Sequence, residues 1–177
     1  MKSGKSLEII KQISPLEHTR TTHSVYQSTR HERDKALVSR SGASIPAKKV
    51  DGLRSILDDP AEVIAIDEIH LFTPTDIQVI RELLDQDRRT LYVAGLDLDV
   101  RGELFDSVKA LMELGPDVVV HKKAVCDVCQ AYNAVYTQVM RDGQPVTEGP
   151  KSVPDDGTGS FDYEARCRQC FVVTPVR

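Results

Sequence analysis

No stretch of this sequence stays apolar long enough to cross a bilayer. The N-terminal segment also lacks the charged-then-apolar layout of a secretory leader, because LEIIKQI is short and broken by charge. The expectation is a cytoplasmic protein with no membrane partner. Positive charge is not in excess: 23 Lys and Arg against 27 Asp and Glu leave a formal charge of −4. Aromatic residues make up only 5% of the chain, and no stripe interleaves them with basic ones. Both facts argue against nucleic acid as a partner, because its electrostatic footprint is basic. No internal repeat or low-complexity tract is present. Cysteine is scarce, at four residues. Without a leader, these read as metal ligands or free thiols rather than disulfides.

What is present suits a globular chain. Its 177 residues are 40% hydrophobic and 28% charged, enough for one core with a small appendage. Leu7, Ile10 and Ile13 recur at a helical interval, and Pro15 marks the end of that helix. The segment from His18 to Arg40 is polar, with HSVYQ as a weak strand followed by exposed loop. VDGLRSILDDP reads as a short helix stopped before Pro60. EVIAIDE is a strand buried on both faces. Thr73 and Pro74 then open a helix whose apolar positions are Ile77, Ile80, Leu83 and Leu84. TLYVAGLD reads as another buried strand, ELFDSVKALMELG as a helix ending at glycine, and DVVVH as a further strand. This alternation predicts an α/β fold, a parallel sheet with covering helices. The character changes near Lys122, beyond which Cys, Gly, Pro and Tyr are frequent. The expected division is 1–122 as a nucleotide-binding domain and 123–177 as a small metal-binding domain.

Three groups of residues carry chemistry. Gly4, Lys5 and Ser6 form the second half of a phosphate-binding loop, G-x-x-x-x-G-K-[ST], whose first glycine would fall before Met1. In such a loop the Lys ammonium meets the β- and γ-phosphates. The Ser hydroxyl binds magnesium, and the helix N-terminus completes the anion site. Asp67 and Glu68 leave the apolar strand together. Asp67 stands where a Walker B acid contacts the metal, and Glu68 can accept a proton. The plainer alternative is an N-cap or a solvated carboxylate pair. His70 reads as a polar packing or nucleotide-contact group rather than a base, and Phe72 as core. Finally, Cys126 and Cys129 form one C-x-x-C, and Cys167 and Cys170 another. Two such pairs close a tetrahedron around structural zinc, with a redox dithiol, free thiols or an iron–sulfur cluster as alternatives.

In order along the chain, MKSGKS, STR, IDEIHLF, AGLDLDVRGELF, AVCDVCQAYNAVYT and YEARCRQCF resemble the cytosolic, zinc-containing (type II) thymidine kinases. That resemblance implies a RecA-like domain with a zinc-anchored lasso, in an N-terminally truncated chain whose first strand is missing, and usually a homotetramer. It implies transfer of the ATP γ-phosphate to the 5′-hydroxyl of deoxythymidine. Met1, Lys2, Ser3, Gly4, Lys5 and Ser6 match the phosphate loop, and Ser28, Thr29 and Arg30 an ATP-contacting segment. Asp67, Glu68, Ile69 and His70 match the second nucleotide segment, with Ser6 and Asp67 on magnesium and Glu68 as general base. Leu96, Val100 and Phe105 match walls of the thymine pocket, and Tyr163 an aromatic of the lasso. Backbone near Val153 to Gly159 is where that lasso would read the base. Two aromatics of the family pattern are absent, with Leu71 and Val100 in their places, which implies weaker stacking on the base. Rival readings are an impaired, zinc-stabilised nucleotide-binding relative, a zinc-ribbon protein with an ATPase core, and a generic P-loop ATPase.

Overall fold

The computed structural model describes residues 3–31, 36–39, 41–86, 89–146 and 161–173. The chain divides into two compact units. One comprises Gly4–Gly95 and Asp106–Asp117; the other comprises Ser3, Leu96–Phe105 and the described residues from Val118 onward. Among the described residues, no helix is long and apolar enough to cross a membrane.

The first unit contains helix α1 (Lys5–Ile13), strands β1 (His23–Ser28), β2 (Ala36–Val38), β3 (Ser44–Pro46), β4 (Lys48–Val50) and β5 (Val63–Asp67). Helix α2 (Pro74–Leu84), strand β6 (Thr90–Val93) and helix α3 (Asp106–Glu113) complete it. The strands β4-β1-β5-β6 form one sheet in that order, and every pair in it is parallel. β2 and β3 pair separately, antiparallel.

Alternation along β5 explains why its sequence is apolar throughout. Val63 and Ala65 pack with Val25 against Ile9, Ile10 and Ile13 of α1. Ile64 and Ile66 pack on the other face, with Ile77, Ile80 and Leu83 of α2. A strand covered on both faces has no position left for a polar side chain until the sheet ends, which it does at Asp67. α2 begins where a capping box ends the preceding turn. Thr73 Oγ1 accepts from Asp76 N at 3.2 Å, and Asp76 Oδ2 accepts from Thr73 N at 2.9 Å. Asp76 Oδ1 also accepts from Leu53 N at 2.9 Å, tying α2 to the 3-10 turn Leu53–Ile56.

Three local readings change. HSVYQ is an interior strand, flanked by β4 and β5, and Val25 through Ser28 are buried. Gln27 and the following Ser28 disguise it, because these polar residues occupy buried positions at the strand's carboxyl end. TLYV is a strand, but at the end of the four-strand order it is only half-buried. DVVVH is not a strand: Val118 and Val120 are 77% and 66% exposed. A β-branched run favours a pleated surface but does not create one without a neighbour to pair with.

The second unit holds a three-stranded antiparallel sheet, β8-β7-β9, formed by β7 (Tyr136–Arg141), β8 (Gln144–Pro145) and β9 (Asp162–Arg166). The cluster buried around its cysteines is Ala124, Cys126, Ala134, Ala165 and Cys167. Side chains this small bury little apolar area at that end of the unit.

The two-sided core of the first unit makes a graded prediction. Ile64→Ala should cost about 2–5 kcal/mol, and Thr73→Ala about 1 kcal/mol, both read from urea unfolding. Equal effects would contradict the assignment of β5 as the buried centre.

Candidate active site

Gly4 is in the left-handed region at φ 79°, where glycine enters without strain, and it caps α1 directly. Glu8 N donates to Gly4 O at 3.1 Å, so the helix starts at the loop and its free N–H groups face the loop's end. Ser6 Oγ donates to Asp67 Oδ2 at 3.1 Å. A hydroxyl from the helix thus meets a carboxylate from the end of β5, joining residues far apart in sequence. Asp67 is 1% exposed, and its other oxygen accepts from Glu68 N at 2.9 Å.

Burial pushes the Asp67 carboxyl up to about 6, and the neighbouring Glu68 carboxylate adds to the shift. The Glu68 N–H, the Lys5 ammonium and the Ser6 hydroxyl oppose it. Glu68 itself has φ 56°, a left-handed conformation that a non-glycine residue adopts only under constraint. Such strain is commonly concentrated where a side chain must be aimed. His70 Nδ1 lies 3.4 Å from Glu68 Oε2. Burial lowers the His70 pKa to about 3, helped by the Lys5 charge and by His31. The imidazole is therefore neutral at physiological pH, and it is no cationic partner for Glu68. Ile69 is buried, and its N–H donates to Ala94 O at 2.9 Å.

At the end of β1, Ser28 is fully buried and its Oγ accepts from Arg30 N at 3.2 Å. Thr29 Oγ1 donates to Asp51. The Arg30 guanidinium donates to Leu71 O at 3.0 Å, which brings it to the turn following Glu68. Lys5, Ser6, Asp67, Glu68 and His70 therefore converge, with Arg30 bound to the same turn. Met1, Lys2 and the Val153–Gly159 segment lie outside the described residues.

Sequence reasoning passed over Gln27. It is in register with Asp67 across β1 and β5 and shares its face of the sheet. It is 2% exposed, and its Oε1 has no hydrogen-bond partner among the described residues. Nothing in the sequence marks it. The oxygen donors gathered here (Ser6, Asp67 and the unpartnered Gln27 amide) are the hard ligands that magnesium takes, so the residues fit that ion.

In the second unit, the four cysteine sulfurs lie within 4.8 Å of one another, and Cys129 Sγ is 3.8 Å from Cys167 Sγ. Zinc held by four sulfurs at about 2.3 Å sets them about 3.8 Å apart, so the cluster fits the ion. Both C-x-x-C segments are tight turns, with Gln130 N donating to Cys126 O at 3.0 Å and Cys170 N to Cys167 O at 3.1 Å. The N–H of Cys129 leads the groups that pull Cys126 down to about 6. Cys170 is pushed up to about 12, chiefly by its hydrogen bond with Cys167. Four crowded thiols cannot all ionise without a cation among them. Leu96, Val100, Phe105 and Tyr163 belong to this same unit. Val100 and Phe105 are each 6% exposed, and Tyr163 is opposite Val139 in the β7–β9 pair.

The sequence model of the thymidine kinase family matches residues 1–171. This chain belongs to that family. It is 35% identical over 180 residues to the thymidine kinase of Roseiflexus sp. (strain RS-1), a match covering 97% of this chain and 90% of that protein. Identity to the thymidine kinase of Chloroflexus aurantiacus (strain ATCC 29366 / DSM 635 / J-10-fl) is 34% over 179 residues, with the same coverage. The thymidine kinase of Coprothermobacter proteolyticus is 42% identical over 134 residues, covering 75% of this chain and 65% of that protein.

Two measurements test this geometry. The purified chain should carry about one zinc, and Cys167→Ser should lower both the zinc content and Tm. A zinc-free chain with an unchanged melt would contradict the site. For Asp67, the folded pKa is raised above the unfolded value. The unfolded chain therefore ionises first, and stability falls as pH rises from about 4 to about 6. Without magnesium or nucleotide, Asp67→Asn should raise Tm at about pH 7.5 and gain less at about pH 5. A gain that is the same at both would contradict the assigned burial.

Proposed function

We propose that this chain transfers the γ-phosphoryl group of ATP to the 5′-hydroxyl of deoxythymidine, giving dTMP and ADP for DNA precursor synthesis by nucleotide salvage. The convergence of Lys5, Ser6, Asp67 and Glu68 at the carboxyl end of β5 carries this reading, together with the family to which the chain belongs.

Each residue has a distinct role. Lys5 sets an ammonium against the β- and γ-phosphates, and the N-terminus of α1 supplies backbone N–H groups to the same oxygens. Ser6 and Asp67 would hold magnesium, which neutralises charge on the β- and γ-oxygens when it binds with ATP. Arg30, Thr29 and Ser28 add contacts to ATP from the end of β1. Glu68 takes the proton of the 5′-hydroxyl as its oxygen attacks phosphorus, and the bond from phosphorus to the β-phosphate oxygen breaks in line. Its left-handed backbone aims the carboxylate away from the direction the strand would otherwise give it. His70, being neutral, contacts Glu68 without neutralising it. Leu96, Val100 and Phe105 wall the thymine, with Tyr163 as an aromatic of the lasso. A backbone reader has few means of holding itself still, which gives a structural zinc its place in a kinase. The reading also includes a homotetramer and a cytoplasmic location.

Glu68→Gln should lower kcat for thymidine phosphorylation by about two to four orders of magnitude and leave the KM for ATP nearly unchanged. Assay of dTMP formation checks it. Equal residual rates in the parent and the variant would instead favour a nucleotide-binding protein without kinase chemistry.

A further inference from the structure

Gly102 has φ +78°, and a Cβ there would lie 3.1 Å from Phe171 Cε1 and 3.2 Å from Tyr136 Cε1. Those two rings stack with centroids 4.5 Å apart and planes inclined by 11°. Backbone of the turn following Asp99 therefore lies directly against a pair of parallel rings, where a Cβ would be tight and the positive φ favours glycine.

Both sides of this contact are fixed. In the turn, Asp99 Oδ1 accepts from Arg101 N at 2.9 Å and Glu103 N at 3.0 Å, and Asp99 N donates to Glu103 O at 2.8 Å. Phe105 N donates to Asp97 O at 3.1 Å, so the turn closes on itself. Below it, Tyr136 opens β7 and pairs with Arg166 of β9. Phe171 follows Cys170 directly, and its N–H donates to Cys167 O at 3.0 Å. The next residue, Val172, donates its N–H to Oε1 of the fully buried Gln138 at 2.9 Å. The ring stack is thus fastened to the second cysteine pair on one side and to β7 on the other.

The turn carries Val100 and Phe105, the buried apolar residues placed in the thymine pocket above. We infer that Gly102, Tyr136 and Phe171 form a clamp that holds this nucleoside-binding turn in position on the cysteine-anchored sheet and so sets thymidine affinity. They are positioning residues, and this role rests on the thymidine kinase reading. A bulky or missing ring at the clamp shifts Val100 and Phe105 together, because the turn moves as one hydrogen-bonded piece.

Steady-state kinetics of the full chain with thymidine and Mg-ATP tests the clamp, with zinc content and Tm measured on every variant. Phe171→Leu should raise the KM for thymidine roughly three- to tenfold, with KM for ATP within about twofold of the parent and zinc retained. Phe171→Tyr keeps the ring and should restore the parent value. Gly102→Ala alone should raise thymidine KM further, through backbone strain and ring overlap. Added to Phe171→Leu it should raise KM by less than it does alone, because one of the rings it strikes is gone. An unchanged thymidine KM in Phe171→Leu would overturn the clamp. So would a rise in both KM values accompanied by loss of zinc, which marks general unfolding. A parent chain that turns over no thymidine would remove the thymidine reading itself, and the clamp's role with it.

Discussion

The candidate site of the first unit depends on one contact, the hydroxyl of Ser6 on the buried carboxylate of Asp67. It fixes the N-terminal turn of α1 to the end of β5, the strand whose two apolar faces organise the core. Without ligand the arrangement is costly. A carboxylate 1% exposed beside a second carboxylate is held well above its ordinary pKa. Only a partly compensating ammonium, hydroxyl and N–H hold it in place. A cation bound with its phosphates would relieve the desolvation and the like-charge repulsion together. The site is therefore arranged for its loaded state, at the expense of the empty one.

The cysteine unit follows a parallel logic. Around its cysteines the buried side chains are alanines, so apolar burial contributes little there. The sulfurs lie within 4.8 Å of one another, close enough to share one ion. What the ion would stabilise is a platform: a short sheet, a ring stack and the turn resting on that stack. In both units, then, a bound ligand would relieve crowding of ionisable groups that the chain alone leaves in place.

The sequence disclosed these features unevenly, for physical reasons. β5 and α2 were legible because burial on two faces and a 3.6-residue stripe leave strong periodic marks, and Thr73–Pro74 is a clear start signal. The gathering of the four cysteines was legible from spacing alone. β1 was harder to read, since its buried carboxyl end carries Gln27 and Ser28, residues usually found at the surface. Gln27 is buried beside Asp67 on the neighbouring strand, and the Ser28 hydroxyl is satisfied by Arg30 N. Val118 to Val120 misled in the opposite direction, because composition cannot report whether a pairing strand exists. The gathering of Lys5, Ser6, Asp67 and Glu68 matches what the motifs suggested. The strain at Glu68, the unpartnered Gln27 amide and the contact between Gly102 and the two rings depend on tertiary placement, and no local pattern announces them.

The most direct measurement is ADP release by the purified chain with Mg-ATP, with and without thymidine. A metal–phosphate site built to serve a nucleoside hydroxyl should release ADP in step with dTMP, and only slowly when thymidine is omitted. ADP release at the same rate without thymidine, or none in its presence, would contradict the account.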